Sequence, residues 1–169
     1  MKTGKRALLV LFTLLLCVAC DQVTKELAKS RLPKNKVLSL AAGVVRLDLT
    51  ENRGAVLSFE HCLPRPWRGP VLSVTVALFL GLVMGYLLFS AAPRPLPVTA
   101  LSLICGGTLS NLLDRVVFGG SVIDFLSLGW GGFRTAIFNL ADVAIVTGTV
   151  LLGLSLIRTL ISVVSRGIR

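Results

Sequence analysis

Four long apolar segments leave this chain little room to fold as anything but a helical membrane bundle. They run over Ala7–Cys20, Val71–Ser90, Leu96–Leu113 and roughly Thr135–Ile157. A spanning helix needs about 20 mostly apolar residues, because the hydrocarbon core is about 30 Å thick and each helical residue rises about 1.5 Å. The second segment meets that length alone; the third and fourth meet it if they carry a few polar residues. The first is short, since its apolar run of 14 residues reaches only about 21 Å. To cross, its helix must continue through Asp21, Thr24 and Lys25, which brings charged groups to one membrane boundary. Helices are expected at about 7–27, 70–90, 96–115 and 136–158, with residues 1–169 as a single integral-membrane domain.

The composition fits: 54% of residues are hydrophobic and 15% charged, where a soluble domain has about 25% charged. A net charge of +10 would suit nucleic acid in a soluble domain, but the apolar runs leave no such domain, so no nucleic-acid partner is expected. Basic residues beside apolar runs suit anionic lipid headgroups, and membrane lipids are the expected neighbours. Cys17 and Cys20 form a CxxC, and His61-Cys62 lies further on, so a metal or redox site can be written on paper. Both CxxC thiols fall in an apolar run, where small buried thiols are ordinary packing residues, and no metal is expected. His61 is the one histidine, which removes catalytic schemes that depend on a histidine base unless that residue supplies it. The basic start followed by Leu16-Cys17-Val18-Ala19-Cys20 also resembles a lipoprotein signal peptide, but three further spans follow.

Between the first two spans lies a polar stretch, Ala28–Gly69. Val45, Leu47 and Leu49 alternate there with Arg46, Asp48 and Thr50, the period of a half-buried strand. Glu51-Asn52-Arg53-Gly54 reads as a turn and Ala55–Phe59 as a second strand. The expected fold class is therefore an all-α membrane protein of four transmembrane helices, with a small β-sheet between helices 1 and 2 lying on the membrane surface. Pro64, Pro66 and Pro70 are expected to break structure before the second helix. Trp67 and Trp130 fall where interfacial anchors sit. Gly81 and Gly85 form a GxxxG, read as helix packing. Ala91–Pro95 reads as a short loop, and Val116–Arg134 as a glycine-rich loop carrying Asp124. Basic residues are nearly balanced across the two sides, so charge alone does not orient the bundle; the basic N-terminal hexamer favours a cytoplasmic N-terminus.

Four spans impose a parity: the first and third loops share one side. Asp21, Asn52, Asn111, Asp114, Arg115, Asp124, Asn139 and Asp142 then all fall at the same membrane face. From Val71 onward the acids are Asp114, Asp124 and Asp142, and ionisable groups near hydrocarbon are costly and usually functional. Gly107, Asn111, Asp114 and Arg115 share one helical face. Asp114 and Arg115 could equally end a helix among headgroups, and Asp21 with Lys25 could be a plain i,i+4 ion pair. Asp142 sits among nearly uninterrupted apolar residues, so its carboxylate needs a partner or a proton; Asn139 could cap the helix and leave it free. Two carboxylates sharing a site cannot both ionise easily, so one proton is shared. The ionised member can take a proton from water while the protonated one polarises a scissile carbonyl. Asp124 and Asp142 suit those roles.

Five strings, in order and over nearly the whole chain, resemble the blocks of lipoprotein signal peptidases (signal peptidase II): Asp21-Gln22-Val23-Thr24-Lys25, Glu51-Asn52-Arg53-Gly54-Ala55, Gly106 through Arg115, Val122-Ile123-Asp124-Phe125 and Phe138-Asn139-Leu140-Ala141-Asp142. The resemblance implies an aspartic endopeptidase with Asp124 and Asp142 as the catalytic pair. It implies no cofactor or metal. The implied substrate is a prolipoprotein signal peptide followed by a diacylglyceryl-cysteine, cut just before that cysteine at the extracytoplasmic face of the bacterial cytoplasmic (inner) membrane. Asn52, Asn111, Arg115 and Asn139 would hold substrate or dyad; Asp21, Lys25 and Asp114 would be structural polar residues; the surface sheet would be the extracytoplasmic cradle. Ser110, Leu57 and Ala136-Ile137 depart from the family pattern, which leaves open a divergent or non-cleaving paralogue that binds lipidated signal peptides. A small proton-coupled carrier is the other alternative, opposed by the crowding of the acids at one face.

Overall fold

A computed structural model describes residues 2–33, 36–53, 64–89 and 94–167. The helices are α1 (Thr3–Arg31), α2 (Arg65–Phe89), α3 (Pro95–Val117) and α4 (Leu140–Gly167). The strands are β1 (Leu38–Leu40), β2 (Val45–Asn52), β3 (Val122–Trp130) and β4 (Phe133–Arg134). All four helices are long and apolar enough to cross a membrane, so the chain is a multi-pass membrane protein. The strand expected over Ala55–Phe59, the pair His61-Cys62, most of the loop at Ala91–Pro95 and the side chain of Trp67 lie outside the described residues.

Mean hydropathy identifies the central helix. α3 has a value of 1.5 against 2.1 to 2.4 for the other three, and it is the most buried of the four. It packs against α1, α2 and α4. A helix surrounded by protein needs close approach more than it needs grease, so many of its buried positions are small, among them Ala100, Ser102, Gly106, Gly107 and Ser110. The outer helices instead turn large residues such as Phe12, Leu82 and Val146 outward, as a lipid-facing surface requires. Val10, Leu80, Leu87, Val98 and Cys105 form the apolar core between α1, α2 and α3. Cys105 is a packing residue there, and Cys17 packs on Gly106, where an added Cβ would lie 2.7 Å from its own.

Three expectations need correction. The prolines do not all precede the second helix: α2 begins at Arg65, Pro66 falls in its first turn, where no N–H is needed, and Pro70 lies inside it. A Cβ at Gly81 or Gly85 would meet nothing within 4 Å, so the GxxxG is not a packing seam between the described helices. The sheet is not confined between helices 1 and 2. Its order is β1-β2-β3-β4, and half of it comes from the segment read as a glycine-rich loop. Asp124 therefore stands on a strand.

The β2–β3 pairing contains a bulge that positions a side chain. Leu47 pairs with Leu126 and Thr50 with Asp124, so two residues of β2 face one of β3. Side chains alternate along a strand, and paired residues share a face. An unbroken ladder would pair Leu49 with Asp124 and send Asn52 to the opposite face. The extra residue shifts the alternation and brings Thr50 and Asn52 onto the Asp124 face.

Gly107 governs the α3–α4 approach. An added Cβ would collide with the carbonyl oxygen of Ala141 and lie 2.9 Å from Ile145 Cγ1. Gly107→Ala should lower stability by about 1–3 kcal/mol, the cost of overpacking, seen as a lower melting temperature in detergent. Gly85→Ala, a substitution into open space in a helix interior, should leave it unchanged or raise it.

Candidate active site

The site forms where the end of α3, the start of β3 and the start of α4 meet. A Schellman turn closes α3: Gly119 takes φ +60°, and Gly120 N–H donates to Arg115 O at 2.7 Å. The chain then enters β3. After β4 it returns to β3 at Phe138, whose N–H donates to Leu126 O at 2.8 Å while its carbonyl accepts from Leu126 N–H at 2.9 Å. Asn139 follows at once, so the start of α4 is pinned to the strand bearing Asp124.

Asn139 and Asp142 form a reciprocal cap. Asp142 N–H donates to Asn139 Oδ1 at 3.0 Å, and Asn139 N–H donates to Asp142 Oδ2 at 3.1 Å. This is the capping-box geometry built from Asn and Asp. Capping therefore engages one Asp142 oxygen rather than leaving the carboxylate free. The other, Oδ1, accepts from Asn111 Nδ2 at 3.0 Å. Asp124 is held likewise: Asn52 Nδ2 donates to Oδ2 at 2.9 Å and Asn139 Nδ2 to Oδ1 at 2.7 Å. Asn139, fully buried, thus touches both carboxylates, one through its backbone and one through its amide. Asp124 and Asp142 line one cleft of about 470 Å³ together with Asn52, Asn111, Arg115 and Thr108. The apolar wall comes from Leu72 and Val76 of α2, Val122 of β3 and Ile145 of α4.

Burial pushes the Asp124 carboxyl above the ordinary carboxylate range, and the charge of Asp142 pushes the same way. The amides of Asn52 and Asn139, which favour the ionised form, and the cation of Lys25 pull in the opposite direction without prevailing. Arg115 adds a guanidinium to the cleft wall, with Nη1 donating to Asn111 O at 3.4 Å.

Behind the cleft lies a second polar layer. Lys25 Nζ stands 2.6 Å from Asp21 Oδ2 and 2.8 Å from Asp114 Oδ2, and donates to Asn111 Oδ1 at 3.1 Å. All three charged residues are buried, so neither the plain ion pair nor the headgroup-facing helix end describes them. Asp114 also accepts from Ile123 N–H at 3.0 Å and from Gln22 Nε2 at 2.8 Å. Asp21 Oδ1 accepts the N–H of Ala141 at 2.9 Å, so a carboxylate on α1 caps the first turn of α4. Ser110 Oγ donates to Asp21 Oδ2 at 2.7 Å and accepts from Gln22 Nε2 at 3.0 Å. Gln22 and Ser110 are the members of this network that sequence reasoning did not single out as site residues. Gln22 belongs to the Asp21–Lys25 string, and Ser110 is the residue of the Gly106–Arg115 string that departs from the family pattern.

Asp21→Ala removes the α4 cap and leaves Lys25 with one carboxylate fewer. Breaking a buried pair from one side costs about 3–5 kcal/mol, so this variant should show a sharply reduced folded yield by gel filtration.

The sequence from residue 13 to residue 158 matches the family model for signal peptidase (SPase) II. The chain is 31% identical over 154 residues to the lipoprotein signal peptidase of Syntrophus aciditrophicus, covering 91% of this chain and 95% of that protein. It is 35% identical over 140 residues to that of Syntrophomonas wolfei, covering 82% and 85%. It is 37% identical over 146 residues to that of Paraburkholderia phytofirmans, covering 85% and 81%. Among solved structures, a bacterial membrane enzyme determined by the in meso method shares the fold at a TM-score of 0.70, with 22% identity and coverage of 92% and 88% of the two chains. Fold, polar face and sequence agree: this chain is a membrane-spanning member of the signal peptidase II family of peptidases.

Proposed function

We propose that the chain is an aspartic endopeptidase that removes signal peptides from diacylglyceryl-modified prolipoproteins, cutting before the lipidated cysteine. The observation that carries this is the pair of carboxylates, Asp124 and Asp142, lining one cleft and joined through Asn139. The cleft opens among apolar residues of α2 and α4, which suits a peptide whose flanking groups lie in lipid. The names of the similar proteins support a prolipoprotein substrate. By the parity of four spans and the basic N-terminus, the site faces the outer side of the bacterial cytoplasmic membrane.

Asp124, buried and pushed toward its neutral form, is the protonated member; Asp142 is the base. Asp142 takes a proton from water as the water oxygen attacks the scissile carbonyl carbon. Asp124 donates its proton to the carbonyl oxygen, giving a neutral tetrahedral diol. On collapse, the carbon–nitrogen bond breaks, Asp142 returns its proton to the leaving cysteine nitrogen, and Asp124 recovers one from the diol. The pair then again holds a single proton. Asn52 and Asn139 orient Asp124, Asn111 orients Asp142, and Arg115 holds a substrate carbonyl or a lipid phosphate.

Asp124→Asn and Asp142→Asn should each slow cleavage of a lipidated prolipoprotein by at least about a hundredfold. Near-parental cleavage by either would remove that residue from the pair. Melting temperature separates chemistry from folding. Asp124 binds its proton more tightly folded than unfolded, so its ionisation costs stability as pH rises from about 3.9, its unfolded value, through the raised folded value. Asn bears no such cost but sets its Nδ2 against one of the two amide donors, Asn52 or Asn139, and with these effects opposed Asp124→Asn should melt close to the parent at neutral pH.

Asn52→Ala removes a donor that favours ionised Asp124. The alkaline limb of the kcat–pH profile, where the pair loses its shared proton, should move to higher pH. An unmoved or lowered limb would place that proton elsewhere.

A further inference from the structure

Asn111 stands between the ion cluster and the cleft, and its amide has two ends with opposite needs. Its Oδ1 accepts from Lys25 Nζ at 3.1 Å and from Asn139 Nδ2 at 3.1 Å; its Nδ2 donates to Asp142 Oδ1 at 3.0 Å. Turned over, the amide would set N–H groups against an ammonium and another amide, and a carbonyl oxygen against a carboxylate. Asn139 holds the orientation weakly by itself. Its two amide hydrogens serve Asp124 at 2.7 Å, Asn111 at 3.1 Å and the Ile123 carbonyl at 3.3 Å, so it can satisfy both without Asn111. Lys25 has no such slack. An ammonium has three hydrogens, and they meet three acceptors: Asp21, Asp114 and Asn111. Asp21 and Asp114 are themselves fixed, by Ala141 N–H and Ile123 N–H, so the third hydrogen has one direction to point.

We propose that Lys25 is a positioning residue for catalysis: it fixes which way round the Asn111 amide lies, so that Asn111 always presents N–H to Asp142 and keeps Asp142 the ionised member of the pair. This rests on the reading of Asp124 and Asp142 as the catalytic pair. Lys25 itself is buried behind the cleft and is not one of the residues that line it. With its cation gone, Asn111 can turn its oxygen toward Asp142, which then takes the shared proton and ceases to be a base.

The test is a double-mutant cycle on the full chain in detergent, with a lipidated prolipoprotein as substrate and rates expressed per folded molecule after gel filtration. Lys25→Met and Asn111→Ala should each lower kcat by about 10- to 100-fold, the worth of a hydrogen bond to a charged group, with KM little changed. Combined, they should lower it no further than the worse of the two, because both remove the same bond. Lys25→Met leaves Asp21 and Asp114 facing each other; if it does not fold, the neutral cluster Asp21→Asn, Lys25→Met, Asp114→Asn takes its place in the cycle. Losses that multiply would overturn the proposal, as would an unchanged kcat with only a lowered folded yield, the mark of a brace. Asp142→Asn belongs in the same panel. If it retains activity, the catalytic pair itself is wrong; if it is inactive while the other losses multiply, the pair stands and the role of Lys25 fails.

Discussion

A buried ammonium group is the constraint on which the described structure turns. Lys25 leaves α1 where that helix has passed the apolar thickness it must cross, and its charge is buried. Several kcal/mol per ion are lost on such burial unless partners restore them. The partners are Asp21, one turn back on α1, and Asp114 at the end of α3. Each carboxylate then uses its remaining oxygen capacity on a backbone N–H of another element: Ala141 at the start of α4 and Ile123 on β3. One cation thereby ties three helices and a strand at the level of the cleft. The three hydrogens of an ammonium diverge toward these three acceptors, Asp21, Asp114 and Asn111, a geometry that the planar fork of arginine does not match.

Among the described residues, asparagines donate hydrogen bonds to the two cleft carboxylates: Asn52, Asn111 and Asn139. A cation directly on either acid would hold it ionised, and two ionised acids cannot share a proton. Amides donate without charge. They fix geometry while leaving the balance between burial and mutual repulsion to decide where the proton sits. Arg115 stands on the wall and donates to the backbone carbonyl of Asn111, and Lys25 makes its hydrogen bond toward the cleft with Asn111.

The parts of this arrangement differ in how far the chain reveals them. The four spans are legible because lipid leaves no alternative to long apolar helices. The shared polar face is legible because four crossings impose a parity. Val45, Leu47 and Leu49 announce β2. Strand β3 is harder: Val122, Ile123, Phe125 and Asp124 are buried on both faces, so alternation is lost, and the flanking glycines read as a loop. Its β-branched and aromatic run between Gly120 and Gly129 was the available signal. Asp21 capping α4 was out of reach, since 120 positions separate it from Ala141 and no local pattern marks such a pair. Ser110 illustrates the same limit from the other side. A residue that breaks the family pattern proves to be bonded to Asp21 and Gln22.

The bulge in β2 has an implication for how this segment can vary. Between Leu47 and Asn52 the strand takes five steps where β3 takes four, from Leu126 to Val122. A single-residue deletion there would remove the extra residue and leave an unbroken ladder with Asn52 still opposite Val122, on the Asp124 face. The contact of Asn52 with Asp124 therefore tolerates a shorter β2, and what such a deletion takes away is the bend and added twist that the bulge gives the strand.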